Sequence, residues 1–81
     1  MTLAVHELAL AESVVRQITE RLGDARVVRV RLEIGQLAAV MPDALRFSFE
    51  VCTDGTQLQG AMLQIDETAG QELRIKEVEV V

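Results

Sequence analysis

The spacing of apolar residues predicts a helix near the start of the chain. Between residues 6 and 22, apolar side chains recur every three or four positions, which is the period of a helix with one buried face. Charged residues lie mostly on the other side. Gly23 is typical of a helix end. The apolar set is Leu8, Ala11, Val15, Ile18 and Leu22.

Residues 26–34 alternate strictly, which predicts a strand with one buried face. The polar positions carry Arg29, Arg31 and Glu33, and Gly35 closes the strand. The apolar positions, expected to face the core, are Val28, Val30, Leu32 and Ile34.

Residues 44–52 are compatible with two structures. The segment from Leu45 to Val51 alternates like a strand, yet Leu45, Phe49 and Cys52 also share a helical face. Pro42 favours a helix because proline suits the first helical turn, and Asp43 suits the same end of the helix dipole. We therefore predict a helix.

Two further strands are predicted at residues 61–66 and 72–80. The segment between them is short enough for a hairpin. In the last strand, Leu73 and Ile75 share one face while Val78 and Val80 fall on the other. A bulge near Lys76 and Glu77 would bring all four to the same side.

These elements predict an α+β fold with the order helix-strand-helix-strand-strand. Two helices packed on one face of a three-stranded mixed sheet bury that face most simply. The 81 residues form one domain, residues 1–81, and the 49% of hydrophobic residues is enough for a packed core.

Composition excludes several classes of function. The net charge is −5, the basic residues are scattered and only two Phe represent the aromatics, so no nucleic-acid partner is expected. No apolar stretch is long enough for a membrane span, and residues 1–5 lack the basic residues of a signal peptide. With Cys52 as the one cysteine, no internal disulfide or CxxC zinc site can form, and a cytoplasmic location is expected.

His6 is the strongest candidate for chemistry, because it is the one histidine and imidazole suits nickel, copper or zinc at neutral pH. A metal there could recruit the nearby amino terminus and backbone amides. No set of nucleophile and base with recognisable spacing is present, and no phosphate-binding loop, so an enzyme is not expected.

The neighbouring candidates have simpler explanations as well. Glu7 suits the positive end of a helix dipole, and Asp43 could approach the metal or only stabilise the second helix. Cys52 has a soft ligand atom but belongs to an apolar helix face. Met41 and Met62 are better explained as packing residues.

Several segments agree in order and spacing with one family. The chain resembles HypA/HybF, the nickel metallochaperones of hydrogenase maturation, from residue 6 to the C-terminus. The segments that carry the resemblance are residues 6–11 (HELALA), 29–37 (RVRLEIGQL), 42–50 (PDALRFSFE), the pairs 55–56 and 60–61, and 70–80 (GQELRIKEVEV).

The resemblance implies a nickel-binding domain of two helices and a three-stranded sheet, with His6 and Glu7 as metal ligands and Ni(II) as transient cargo. It implies a HypB-type GTPase and the hydrogenase large subunit as partners. The family's zinc-binding domain, with two CxxC motifs, is inserted between the last two strands. That insertion is absent near residues 67–70, so no structural zinc is expected.

The amino terminus departs from the family pattern. Family members open Met-His-Glu, whereas residues 1–5 precede His6 here, so the terminal amine could close only a large and entropically costly chelate ring. Val5 occupies the position of the family's initiator methionine, and a valine codon as the start is therefore a hypothesis.

Two functions follow. The first is a nickel metallochaperone that binds Ni(II) near the N-terminus and delivers it to a partner for nickel–iron hydrogenase maturation. The alternative is a metal-free protein-interaction or self-associating module on the same scaffold, with homo-oligomers formed through free sheet edges.

Overall fold

The computed structural model describes the backbone of residues 3–81 and the side chains of residues 6–81. The order of elements is the predicted one, helix-strand-helix-strand-strand. The elements are α1 (Leu3–Leu22), β1 (Val27–Gly35), a short 3-10 helix (Gln36–Ala38), α2 (Pro42–Thr53), β2 (Met62–Thr68) and β3 (Leu73–Val80).

Both helices form where the pattern predicts them. The α1 helix begins at Leu3, nearly one turn before the predicted start. In α2, Pro42 occupies the first turn and Leu45 and Phe49 are buried, which confirms the helical interpretation of this segment. Neither helix, in the part of the chain that the structure describes, is long and apolar enough to cross a membrane.

The sheet has the strand order β2-β1-β3, so β1 lies in the centre. The β1 strand is parallel to β2 and antiparallel to β3. The predicted hairpin between the last two strands is therefore wrong, because β2 and β3 lie on opposite sides of β1. A short connection can still join them, since both meet at the end where β1 finishes.

Residues 69–72 make that connection by crossing the end of β1 at Gly35. The Gly35 N–H donates to the Glu72 carbonyl at 2.7 Å, and the Leu37 N–H donates to the Gly70 carbonyl at 2.9 Å. A Cβ atom on Gly35 would overlap the Gly70 backbone. The crossing thus requires glycine at position 35.

The apolar core lies between the helices and one face of the sheet. Val30, Leu32 and Ile34 are buried as predicted, but a register shift after Val27 buries that residue and leaves Val28 38% exposed. The shift breaks the strict alternation. The buried apolar set is Ala11, Val14, Val15, Ile18, Val27, Val30, Leu32, Ile34, Leu45, Phe49, Leu58 and Leu63.

The bulge expected in the last strand is present. Arg31 pairs with Glu77 while Leu32 pairs with Ile75, so Lys76 is the extra residue of β3. As a result, Ile75 and Val78 both pack against the core. Val80 remains 43% exposed at the end of the strand.

Candidate metal site

His6 and Glu7 lie next to each other in α1 but in opposite surroundings. The His6 side chain is exposed, whereas Glu7 is completely buried. Successive residues of a helix point about 100° apart, so one side chain faces solvent and the other faces α2. The two side chains therefore do not converge on one point as a chelating pair.

The buried Glu7 carboxylate holds the start of the second helix. Its Oε2 atom accepts a hydrogen bond from the Met41 N–H at 3.0 Å. Met41 is the N-cap residue of α2 and has no side-chain cap. In a capping box the third helical residue would reach back to this N–H, but that residue is Ala44. Glu7 supplies the missing acceptor from α1.

This contact revises the sequence-based interpretation of Glu7. Because α1 begins at Leu3, Glu7 lies beyond the first turn and does not stabilise the dipole of its own helix. Its carboxyl group lies instead at the N-terminal end of α2, where Oε2 accepts the Met41 N–H. Ala44 has no side-chain oxygen to accept the Met41 N–H. This was the one feature of the sequence that indicated an acceptor elsewhere in the chain.

The other Glu7 oxygen, Oε1, is buried and has no hydrogen-bond partner among the described residues. Asp43 lies two residues beyond Met41, in the first turn of α2, and is exposed. Contact between Glu7 and Met41 therefore brings the starts of both helices together. Within residues 6–81, however, no three His, Cys, Asp or Glu side chains are arranged to hold a metal.

Cys52 behaves as a packing residue. It is partly buried against the core. Burial raises the pKa of its thiol, and the negative charge of Glu12 raises that pKa further. Since the thiolate is the form that binds metals, both effects disfavour Cys52 as a ligand.

The two methionines assigned to packing are instead exposed. Met41 is 48% exposed and Met62 is 65% exposed. Met41 occupies the N-cap position, where its backbone rather than its side chain makes the contact. Met62 is the first residue of the edge strand β2, and its side chain points away from the core. The next residue, Leu63, is the first buried residue of that strand. The packing interpretation was wrong for both.

Four other carboxylates, those of Glu33, Asp66, Glu77 and Glu79, belong to the polar face of the sheet. Asp66 pairs with Arg31 at 2.7 Å, and this hydrogen bond lowers the pKa of Asp66 and raises the pKa of Arg31. Hydrogen bonds from Arg74 and Lys76 lower the pKa of Glu33. These carboxylates form cross-strand ion pairs, as expected for a solvated face.

Comparison with known proteins identifies relatives across most of the chain. Residues 5–72 match the family model described as "Hydrogenase/urease nickel incorporation, metallochaperone, hypA". The hydrogenase maturation factor HypA of Nostoc punctiforme is 50% identical over 66 residues, which cover 82% of this chain and 58% of that protein. HypA of Geotalea uraniireducens is 50% identical over 62 residues, covering 76% and 56%.

A solved structure agrees with the fold. The solution structure of the Ni metallochaperone HypA from Helicobacter pylori superposes with a TM-score of 0.64 at 13% identity, covering 93% of this chain and 92% of that one. The curated relatives are longer, and the matched region spans about 58% of the Nostoc protein. The family is one of metallochaperones, not enzymes. From the match over residues 5–72, the chain belongs to the HypA family of hydrogenase and urease nickel-incorporation proteins.

Proposed function

We propose that this domain binds Ni(II) at the start of α1 and delivers it to a partner during maturation of a nickel–iron hydrogenase. One observation carries the proposal: the single histidine of the chain is exposed at the start of the segment that matches the nickel-incorporation family. Neutral imidazole is a good ligand for nickel. His6 is thus the anchoring ligand.

Glu7 contributes its backbone nitrogen, and its side chain acts as a support. In α1, the Glu7 N–H donates to the carbonyl four residues earlier, as helix geometry requires. Ligation by this nitrogen therefore needs the first turn of α1 to open. The carboxylate bound to Met41 holds the helix from Glu7 onwards, so opening can stop at that point.

Asp43 is the nearest candidate for an oxygen ligand on the second helix. It is exposed and lies two residues from the Met41 N–H that Glu7 binds. Imidazole, amide nitrogen and carboxylate can leave the metal one after another. A ligand set of this kind suits a protein that must release its cargo.

Delivery requires a partner. The relatives are named hydrogenase maturation factors, which supports a hydrogenase large subunit as the recipient and a HypB-type GTPase as a co-worker. Residues 69–72 join β2 to β3 directly, and a chain with one cysteine cannot hold a CxxC pair. We propose that this domain works without the zinc unit expected between those strands.

Calorimetric titration with nickel sulfate tests the metal site. We expect binding by the chain, loss of binding in His6→Ala, and near-normal affinity in Glu7→Gln, whose amide oxygen can still accept from Met41. Titration in two buffers of different ionisation enthalpy should show proton release, because an amide nitrogen must lose its proton to bind.

Three further samples sharpen the experiment. Asp43→Asn should weaken binding, while Glu50→Gln, an exposed carboxylate further along α2, should leave it unchanged. A chain that begins with one methionine before His6 tests the terminal amine, because tighter binding would add that amine to the ligands. Unchanged affinity in His6→Ala would refute the site.

A further inference from the structure

The two edges of the sheet differ in whether side chains already form hydrogen bonds to their backbone groups. At the β2 edge, the Arg46 guanidinium donates to the Leu63 carbonyl at 2.6 Å. Among the described residues, no side chain bonds to the backbone along β3, so this edge keeps free donors and acceptors. Free edges of this kind pair readily with another strand.

The sequence of β3 is complementary to itself when read in the opposite direction. Two basic residues, Arg74 and Lys76, precede two acidic ones, Glu77 and Glu79. In an antiparallel pair of two β3 strands centred between Lys76 and Glu77, Arg74 faces Glu79 and Lys76 faces Glu77. Opposite charges directly across a strand pair stabilise it, and like charges destabilise it.

The bulge makes this register compatible with the two faces of the sheet. Lys76 and Glu77 both form ion pairs with β1 on the polar face, at 3.2 and 3.5 Å. Ile75 and Val78 both pack towards the helices. Ile75 of one copy would therefore lie across from Val78 of the other on the apolar side. Without the bulge, these two residues would face opposite ways.

An open groove lies beside the same edge. It runs between α1 and β3 with a volume of about 650 Å³. Its apolar lining includes Leu10, Val14 and Ile18 from the helix, and Leu73, Ile75 and Val78 from the strand. A second copy related by a two-fold axis through β3 would place its own α1 on the same side of the sheet. The two helices would then flank the axis and cover both grooves.

We propose that two copies of this chain pair through β3 in antiparallel fashion and form a six-stranded sheet. The charges needed for the pairing remain accessible: the side chains of Arg74, Lys76, Glu77 and Glu79 are 65, 42, 48 and 56% exposed. Two β2 strands could not form the same charge pairs, since β2 carries Asp66 and Glu67 and no basic residue. The pairing is independent of nickel, because the groove begins beyond Glu7.

Charge reversal tests the register. Arg74→Glu and Glu79→Arg each convert two attractive pairs into two repulsive ones in a dimer of identical chains. We expect each variant to dimerise at least about tenfold more weakly than the natural chain. Mixed in equal amounts, the two variants form a heterodimer in which both pairs are attractive again, so association should return. Sedimentation velocity over a dilution series, without added metal, measures all four samples.

The variants should keep the fold, because Glu33 retains Lys76 and Arg29 retains Glu77 as partners; circular dichroism checks this. Arg16→Glu and Glu50→Arg, at exposed helix positions, control for net charge and should dimerise normally. A monomer at every concentration up to the millimolar range would overturn the proposal. So would a dimer that both reversals leave intact, or a mixture that does not recover.

Discussion

At the scale of single residues, His6 and Glu7 have different roles in the proposed nickel site. The exposed imidazole is free to bind a metal, and the buried carboxylate ties α1 to the start of α2. The sequence alone indicated His6 as the candidate ligand, because it is the one histidine of the chain. The burial of Glu7 was not, because it depends on where α2 begins in space and not on the local pattern.

The Glu7 contact should be measurable as stability. We expect Glu7→Ala to lower the free energy of unfolding by about 1–3 kcal/mol, because the Met41 N–H would lose its acceptor. Glu20→Ala, at an exposed position of the same helix, should stay within about 0.5 kcal/mol of the natural chain. Urea unfolding followed by circular dichroism measures both. Equal stability of the two variants would show that the contact does not hold α2.

At the scale of elements, the connection between β2 and β3 gives the sheet its topology. The apolar pattern predicted the first helix, all three strands and the bulge at Lys76, because each follows from local periodicity. For α2 the pattern fitted a strand as well, and Pro42 favoured the helix. It could not predict that β1 lies between two strands that are neighbours in sequence. That order depends on the crossing over Gly35, where two backbones approach closely.

Two glycines at this crossing make a matched pair for mutation. A Cβ on Gly35 would overlap backbone atoms of Gly70 and Gln71, while a Cβ on Gly70 would meet only the flexible end of the Glu72 side chain. We expect Gly35→Ala to cost about 1–3 kcal/mol of stability. Gly70→Ala should cost less than about 0.5 kcal/mol. Thermal or urea unfolding that ranks the two variants the other way would contradict this description of the crossing.

At the scale of the whole molecule, the proposed nickel site lies apart from the polar face of the sheet and from the β3 edge. The polar face of the sheet carries cross-strand ion pairs, such as Arg31 with Asp66, on the side away from the helices. The proposed nickel site lies where α1 and α2 begin. The β3 edge and its groove lie further along α1. Metal binding and self-association can therefore occur in the same molecule without competing for residues.

The proposed function depends on the claim that Ni(II) binds at the start of α1. Nuclear magnetic resonance of the nitrogen-15-labelled chain, titrated with nickel sulfate, tests it most directly because every amide reports its own surroundings. We predict that the signals of His6, Glu7 and the first turn of α2 around Asp43 shift or disappear first, and that β3 signals stay unchanged. Changes centred elsewhere, or the same changes in His6→Ala, would contradict the claim.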